Sequence, residues 1–214
     1  MSAFDFFDVI FCINLPDSTD RWAAVQCEFD RVGILDRVER VWTPRPTTKP
    51  RGYKWIGQYG AVLSHCKALQ LAIDLGANNV LIFEDDVVFE HKTPEKHLEQ
   101  SLKELPPNWD MFYLGGNPRE RMTQFSDRLY RTGRMRGAYS YAVNSKAMPV
   151  LLEQAINANV PYDKSTEDFS KKSLSFAVHP YITIVAPGNS TITTGGWPEK
   201  SIQLLRDHWQ EATE

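Results

Sequence analysis

The stretch VLIFEDDVVFE, residues 80–90, joins a fully apolar run to three consecutive acids. The run, about residues 79–83, has the length and side chains of a buried β-strand, and Glu84, Asp85 and Asp86 follow where it ends. Adjacent carboxylates repel one another, and the stretch contains no basic residue to neutralise them. Either a bound divalent cation or a solvated turn, with the acids capping the next segment, would stabilise this arrangement.

Strand-like and helix-like segments alternate on both sides of this stretch. Strands are predicted at 8–15, 38–42, 79–83, 109–114, 138–143 and, interrupted by Pro180, 176–185. Helices are predicted at about 19–32, 57–75, 94–105, 146–158 and 199–212, with a loop at 43–55 and irregular chain at 117–136. The alternation predicts an α/β fold with a mostly parallel sheet flanked by helices. Ligands of such sheets bind at the carboxyl ends of the strands, where the acid triplet lies.

The acid triplet has the ligand chemistry of a divalent metal site. Side chains alternate along a strand, so Glu84 and Asp86 are expected on one side and Asp85 on the other. Two carboxylates are hard oxygen ligands of the kind that magnesium or manganese prefers. A cation held there would neutralise a phosphate-bearing leaving group.

Composition narrows the class of protein. The chain has 214 residues, 42% of them hydrophobic, which suits one globular domain over residues 1–214. A net charge of −3 argues against a protein that is basic throughout, as many nucleic-acid binders are. No apolar run approaches the roughly 20 residues of a membrane span. The three cysteines form no CxxC pair, which favours buried free thiols and a cytoplasmic location, with peripheral contact at the inner membrane as a further option.

Several short stretches, taken in order, resemble glycosyltransferase family 25, the group that includes lipooligosaccharide and collagen galactosyltransferases. The stretches are INL at 13–15 with Asp20-Arg21, GQYGAVLSH at 57–65, LIFEDDV at 81–87, GAYSYAVNSKA at 137–147 with PYD at 161–163, and His179-Pro180 with STI at 190–192. Each is weak alone, and their order and spacing make the resemblance specific. Ala61 stands where the family usually has cysteine.

The resemblance implies a GT-A fold, in which a Rossmann-like nucleotide-binding half (about residues 1–90) joins an acceptor half (about 91–214). It also implies transfer of a sugar, commonly galactose, from a UDP-sugar to a hydroxyl of a saccharide, as in lipopolysaccharide or surface glycan synthesis. Manganese, or magnesium, would assist, and the anomeric centre would invert.

Residue roles follow from the resemblance as expectations. The predicted donor-binding residues are Asn14, Leu15, Arg21, Ser64, His65, Glu84 and Asp85. The predicted metal ligands are Asp86, Glu84 and His179. The general base is expected to be Asp163 or Asp168, where Ser165 or Thr166 would begin a short helix.

Residues 119–136 hold six arginines against Glu120 and Asp127, in an otherwise acidic chain. Arginine forks match phosphates and carboxylates, so Arg119–Arg136 is a candidate contact for an anionic or glycan acceptor, a lipid surface or the UDP diphosphate. A solvated loop is the alternative. Two rival functions stay open: a glycosyltransferase acting on modified nucleic acid, which the overall charge disfavours, and a non-catalytic sugar-nucleotide-binding domain.

Overall fold

The computed structural model describes residues 2–90 and 92–186. Within these ranges the α-helices are α1 (Thr19–Arg31), α2 (Ile56–Asp74), α3 (Pro94–Glu104), α4 (Ala147–Asn157) and α5 (Tyr162–Lys172). The strands are β1 (Val9–Ile13), β2 (Val38–Val41), β3 (Asn79–Glu84), β4 (Val87–Phe89), β5 (Met111–Tyr113), β6 (Asn117–Pro118), β7 (Thr123–Gln124), β8 (Leu129–Arg131), β9 (Met135–Arg136), β10 (Ser140–Asn144), β11 (Ser175–Val178) and β12 (Thr183–Val185). Short 3-10 helices cover Ala3–Phe6 and Leu35–Arg37.

One sheet organises the described residues. Its eight strands follow the order β2-β1-β3-β10-β5-β11-β8-β7. Strand β1 pairs in parallel with β2 and β3, and β11 pairs in parallel with β5. Strands β10 and β8 run antiparallel to their neighbours, so the other strands of this sheet share one direction. The architecture confirms the predicted α/β class, with a mostly parallel sheet flanked by helices.

Both faces of the sheet are buried, each in its own hydrophobic core. On one face, Phe11 and Ile82 pack in a core with residues of α2, α4 and α5. On the other face, Ile10 and Leu81 pack in a core with residues of α1 and α3. Because neighbouring residues of a central strand enter opposite cores, the strand sequence is apolar throughout and does not alternate.

The pairing of β1 with β3 builds the edge at which the acids lie. Ile13 is the partner of Glu84 at the carboxyl end of both strands, so Asn14 emerges beside Asp85. The chain turns at Asp85 and Asp86 and returns as β4, which pairs with β12. Strand β4 therefore begins directly after the acids and belongs to a separate two-stranded sheet with β12.

Some local predictions differ from the structure. Helix α5 begins at Tyr162, earlier than the predicted start near Ser165, and residues 117–136 contain four short strands where irregular chain was expected. Cys12 is buried as expected, but Cys27 is exposed on α1. The predicted helix at 199–212 and the stretch at 190–192 lie outside the described residues. The division into nucleotide-binding and acceptor halves stays a prediction.

Among residues 2–90 and 92–186, no helix combines the length and the apolar character needed to cross a membrane.

Candidate functional site

A pocket opens at the carboxyl ends of β1 and β3. Its wall includes the chain after each strand, the loop that follows β2, and the first half of α2. The residues predicted to bind the donor all line this pocket, and Asp86 lines it with them: Asn14, Leu15, Arg21, Ser64, His65, Glu84 and Asp85. Residues that lie far apart in the sequence thus meet at the edge where an α/β sheet binds its ligand.

Arg21 and Asn14 hold Asp85 in place. The Arg21 Nε donates a hydrogen bond to Asp85 Oδ1 at 2.8 Å, and a second guanidinium nitrogen contacts the same oxygen. The Asn14 amide donates to Asp85 Oδ2 at 2.5 Å. Arg21 lies in the first turns of α1, which follows β1, so the β1–α1 connection supplies both partners. This arrangement neutralises Asp85 from within the chain.

Asp86 is less well satisfied. Its Oδ2 lies 3.1 Å from an Arg21 guanidinium nitrogen, but its Oδ1 is buried without a hydrogen-bond partner among the described residues. Burial raises the pKa of Asp86 from 3.8 to about 7, the charge of Glu84 adds to the rise, and Arg21 opposes it. The Asn14 Oδ1 is likewise buried and unpartnered in the described structure. Two oxygen acceptors are therefore available in this pocket.

Glu84 interacts with a different partner. Its Oε1 lies 3.1 Å from His65 Nε2, and the His65 ring stacks on Tyr162 with centroids 4.0 Å apart. The predicted alternation of the three acids is wrong, because Asp85 and Asp86 both contact Arg21. Strand β3 ends at Glu84, and the extended geometry that causes alternation ends with it.

Ser64 takes part through a neighbouring loop residue. Its hydroxyl lies 2.9 Å from the Thr43 hydroxyl, and both residues line the pocket. Leu15 contributes backbone, since its carbonyl accepts a hydrogen bond from the Arg40 guanidinium at 2.8 Å. These contacts shape the pocket wall, whose charged side chains are the three acids, Arg21 and Arg45.

The two candidate bases lie on opposite sides of α5. Asp163 is half-buried in the first turn, while Asp168 is exposed. Burial raises the pKa of Asp163, the charge of Arg136 opposes the rise, and that of Glu84 adds to it. Asp163 is therefore close enough to the acid triplet to sense its charge.

His179 does not join the acids. It follows β11, and β10 and β5 lie between β11 and β3 in the sheet. Three strand spacings amount to about 14 Å, which is too far for a shared ion. The His179 ring packs against Tyr130 instead, with centroids 5.3 Å apart. Among the described residues, no three His, Cys, Asp or Glu side chains form a metal-binding group.

Most arginines of the 119–136 segment contact this chain. Arg128 donates to Glu104 at 3.0 Å, and Arg131 donates to the Ser173 carbonyl at 3.1 Å. Arg134 and Arg136 both pair with Glu167, which is only 7% exposed. These contacts fold the segment onto α3, α5 and β11.

Two parts of the site were missed in the sequence. The loop at 43–55 was recognised only as a loop, yet Thr43, Pro44 and Pro46 line the pocket. Tyr141 and Tyr162 contact His65 from β10 and α5. In the sequence, Tyr141 lies in YSY and Tyr162 in PYD. The apolar pattern around them predicts buried core residues and gives no sign of a contact with His65.

Comparisons with known proteins identify the family of this chain. The family model described as glycosyltransferase family 25 (LPS biosynthesis protein) matches residues 56–166. A curated relative from Bos taurus, "Probable inactive glycosyltransferase 25 family member 3", is 29% identical over 184 residues, which cover 74% of this chain and 31% of the relative. The chain thus spans about a third of the length of that relative.

Solved structures resemble the chain more distantly. UDP-glucose pyrophosphorylase in complex with UDP-glucose has a TM-score of 0.47 and 10% identity, covering 95% of this chain and 81% of that chain. A glycosyltransferase involved in the glycosylation of the major capsid of PBCV-1 has a TM-score of 0.42 and 11% identity, covering 70% and 67%. Neither likeness is high enough to argue from. The family match is of another kind: it covers more than half of the 214 residues and takes in α2, the acid triplet and Asp163, so the chain belongs to glycosyltransferase family 25.

Proposed function

We propose that this protein is an inverting glycosyltransferase that moves a sugar, galactose in the first instance, from a UDP-sugar to a hydroxyl of a saccharide acceptor. The observation that carries the proposal is Asp86, whose buried Oδ1 lacks a partner beside Arg21 in a pocket at the strand ends. Family membership supports the reaction class, and a lipopolysaccharide or surface glycan is the acceptor that the family description favours.

The pocket fits a divalent cation bound together with the donor. Asp86 Oδ1 and Asn14 Oδ1 are hard oxygen donors that nothing in the described structure satisfies. Magnesium and similar ions are commonly held by one or two carboxylates plus substrate phosphates, so a set of three protein ligands is not required. Asp86 and Asn14 would hold Mn²⁺ or Mg²⁺, with Glu84 near by. When bound, the ion supplies positive charge for a diphosphate leaving group.

The chain's own residues divide the remaining work. Arg21 keeps Asp85 neutralised and brings positive charge to the pocket in which the diphosphate would bind. Asp163 accepts the proton of the acceptor hydroxyl as that oxygen bonds to the anomeric carbon and the bond to the UDP oxygen breaks. Its raised pKa suits a base that works near neutral pH. Asp168, exposed on the same helix, is the alternative base.

The test combines donor binding with turnover. UDP-, GDP- and CMP-sugars are screened with and without Mn²⁺ for thermal stabilisation and for nucleotide release. We expect a UDP-sugar to stabilise the protein only with Mn²⁺, by about 2.7 kcal/mol at 100 times its Kd. Asp86→Asn should lose this response, and Asp30→Asn, an exposed acid on α1, should keep it. Equal responses of both variants, or none of the wild type to any UDP-sugar, would contradict the proposal.

A non-catalytic sugar-nucleotide-binding domain is the second candidate, because the bovine relative is named as inactive. The same screen separates the two functions. Metal-dependent binding of a UDP-sugar without nucleotide release, in the presence of saccharide acceptors, would favour the binding domain. Sugar incorporation into DNA carrying modified bases would instead identify a nucleic-acid acceptor.

A further inference from the structure

A buried row of hydrogen bonds connects Glu84 to the start of α5. His65 Nε2 lies 3.1 Å from Glu84 Oε1, and His65 Nδ1 lies 3.0 Å from the Tyr141 hydroxyl. The Tyr141 hydroxyl lies 2.8 Å from the Tyr162 hydroxyl. The three ring-bearing residues are at most 3% exposed, so water cannot replace a lost partner at low cost. Below, this row is called the Tyr–Tyr–His relay.

The donors and acceptors of these side chains allow only one direction of hydrogen bonding along the relay. A carboxylate can only accept, so the His65 proton must lie on Nε2, pointing at Glu84. The Nδ1 of neutral imidazole then accepts from the Tyr141 hydroxyl, and the Tyr141 oxygen accepts from Tyr162. Burial holds the pKa of Tyr141 and of Tyr162 well above the ordinary value, so both hydroxyls keep their protons. Every donor from Tyr162 to His65 thus points towards Glu84.

We propose that His65 is a positioning residue: held by Tyr141 and Tyr162, it fixes one imidazole tautomer and thereby aims the Glu84 carboxylate into the donor pocket. In this role His65 acts through Glu84, because it is 1% exposed and both its ring nitrogens are engaged within the protein. The effect of His65 on catalysis rests on the proposed function. The tautomer of His65 does not, so the tautomer can be tested even if the proposed function is wrong.

The relay also connects the two sides of the site. Tyr162 is the first residue of α5 and directly precedes Asp163. Its ring lies parallel to the His65 ring, with an interplanar angle of 3°. Its hydroxyl forms a hydrogen bond with the hydroxyl of Tyr141, a residue of the central strand β10. The same contacts that orient Glu84 therefore fix the helix turn that carries the proposed base.

The direction of the relay makes an ordered prediction for two tyrosine variants. In Tyr141→Phe, Nδ1 loses its donor while Glu84 still accepts from Nε2–H, so the tautomer is kept but the ring loses the hydrogen bond that orients it. Loss of a buried hydrogen bond of this kind should lower UDP-sugar turnover about tenfold. In Tyr162→Phe, the Tyr141 hydroxyl still donates to Nδ1, so turnover should fall by no more than about twofold. Tyr113→Phe is the control, because Tyr113 is the sheet partner of Tyr141 and lies outside the relay.

Replacing His65 itself adds a rescue. The His65→Gln amide can still donate to Glu84 from about the position of Nε2, whereas His65→Ala cannot. We expect His65→Gln to keep several-fold more turnover than His65→Ala, provided that both variants show cooperative unfolding.

Nitrogen-15 chemical shifts of the His65 ring in the free protein report which ring nitrogen carries the proton, and this measurement does not depend on activity. We expect the Nε2–H tautomer in the wild type and in both tyrosine variants. The Nδ1 shift should change in Tyr141→Phe, where that nitrogen loses its hydrogen bond, and stay close to the wild type in Tyr162→Phe. A wild-type ring that is Nδ1–H or doubly protonated at neutral pH would overturn the relay, as would a Tyr162→Phe effect equal to that of Tyr141→Phe. If the wild type turns over no UDP-sugar but shows the expected tautomers, the proposed function fails and the relay stands.

Discussion

The acid triplet and the arginine segment at 119–136 are both dense in one charge, yet the fold treats them differently. Glu84, Asp85 and Asp86 line a pocket, and one oxygen of Asp86 has no partner in the described structure. Arg134 and Arg136 instead share the buried Glu167. A cluster of like charges indicates a ligand site when the fold leaves some of its charged atoms without partners. It indicates a role in folding when the fold supplies partners of opposite charge.

Asp163 is influenced by a charge from each region, Glu84 and Arg136, and its replacement should have the largest effect on activity. We expect Asp163→Asn to lower kcat by about 10² to 10⁴ fold, the usual contribution of a general base, while UDP-sugar affinity stays within about twofold. Single-turnover rates and donor binding by calorimetry measure the two quantities.

Asp168→Asn is the matched control, because it makes the same change at an exposed position of the same helix. It should leave kcat within about twofold of the wild type. The reverse ranking of the two variants would transfer the base to Asp168, and full activity in both would remove the base from α5.

The second prediction sharpens the structural role of the arginine segment. Glu167→Gln leaves Arg134 and Arg136 without their shared anion, and we expect a loss of about 2 kcal/mol in the free energy of unfolding. Urea unfolding measures it. Glu99→Gln breaks an exposed pair with Lys103 on α3 and should have no measurable effect. Equal losses of unfolding free energy in the two variants would show that the burial of Glu167 does not make its ion pairs more stabilising than an exposed pair.

The sequence predicted those features that depend on local composition. The apolar run of β3 and the long apolar periodicity of α2 allowed both elements to be located within about two residues. The start of α5 was missed because its N-cap is Pro161, which offers no capping side chain as a signal. Strand β4 has only three residues, too few for any period to show.

Part of the candidate site was predicted from local sequence features and from the family resemblance. Asn14 and Arg21 were expected from the family resemblance, and Glu84 from its place at the end of an apolar strand. His179 was grouped with them because the sequence does not reveal strand order, and β11 lies three strands from β3. The Tyr–Tyr–His relay depends on contacts between α2, β10 and α5, which no local pattern encodes.

The third prediction uses pH to separate Asp86 from the satisfied charges. Because its pKa rises from 3.8 to about 7 on folding, the folded state binds the proton more tightly than the unfolded state. The contribution of Asp86 to the free energy of unfolding should therefore fall as pH rises from about 4 to 7, by about 1 kcal/mol per pH unit. Asp86→Asn should remove this part of the slope. Urea unfolding in EDTA at pH 5 and pH 7.5 measures the difference.

Added Mn²⁺ tests the same carboxylate from the opposite side. At pH 7.5 it should restore stability to the wild type and not to Asp86→Asn, because a cation offsets the cost of burying the charge. A slope that is the same in both proteins would show that Asp86 is satisfied in the folded state.

The smallest expected effect concerns Arg119 and Arg121, two exposed arginines at the start of the segment. If the segment also contacts an anionic acceptor, Arg119→Gln and Arg121→Gln together should raise KM about threefold for a phosphorylated oligosaccharide acceptor and leave it unchanged for the dephosphorylated form. The difference should shrink at 0.5 M salt, because exposed charges are screened over a few ångströms there. Equal KM values for the two acceptors in the wild type would mean that the segment acts in folding alone, and the contrast with the acid triplet would then be complete.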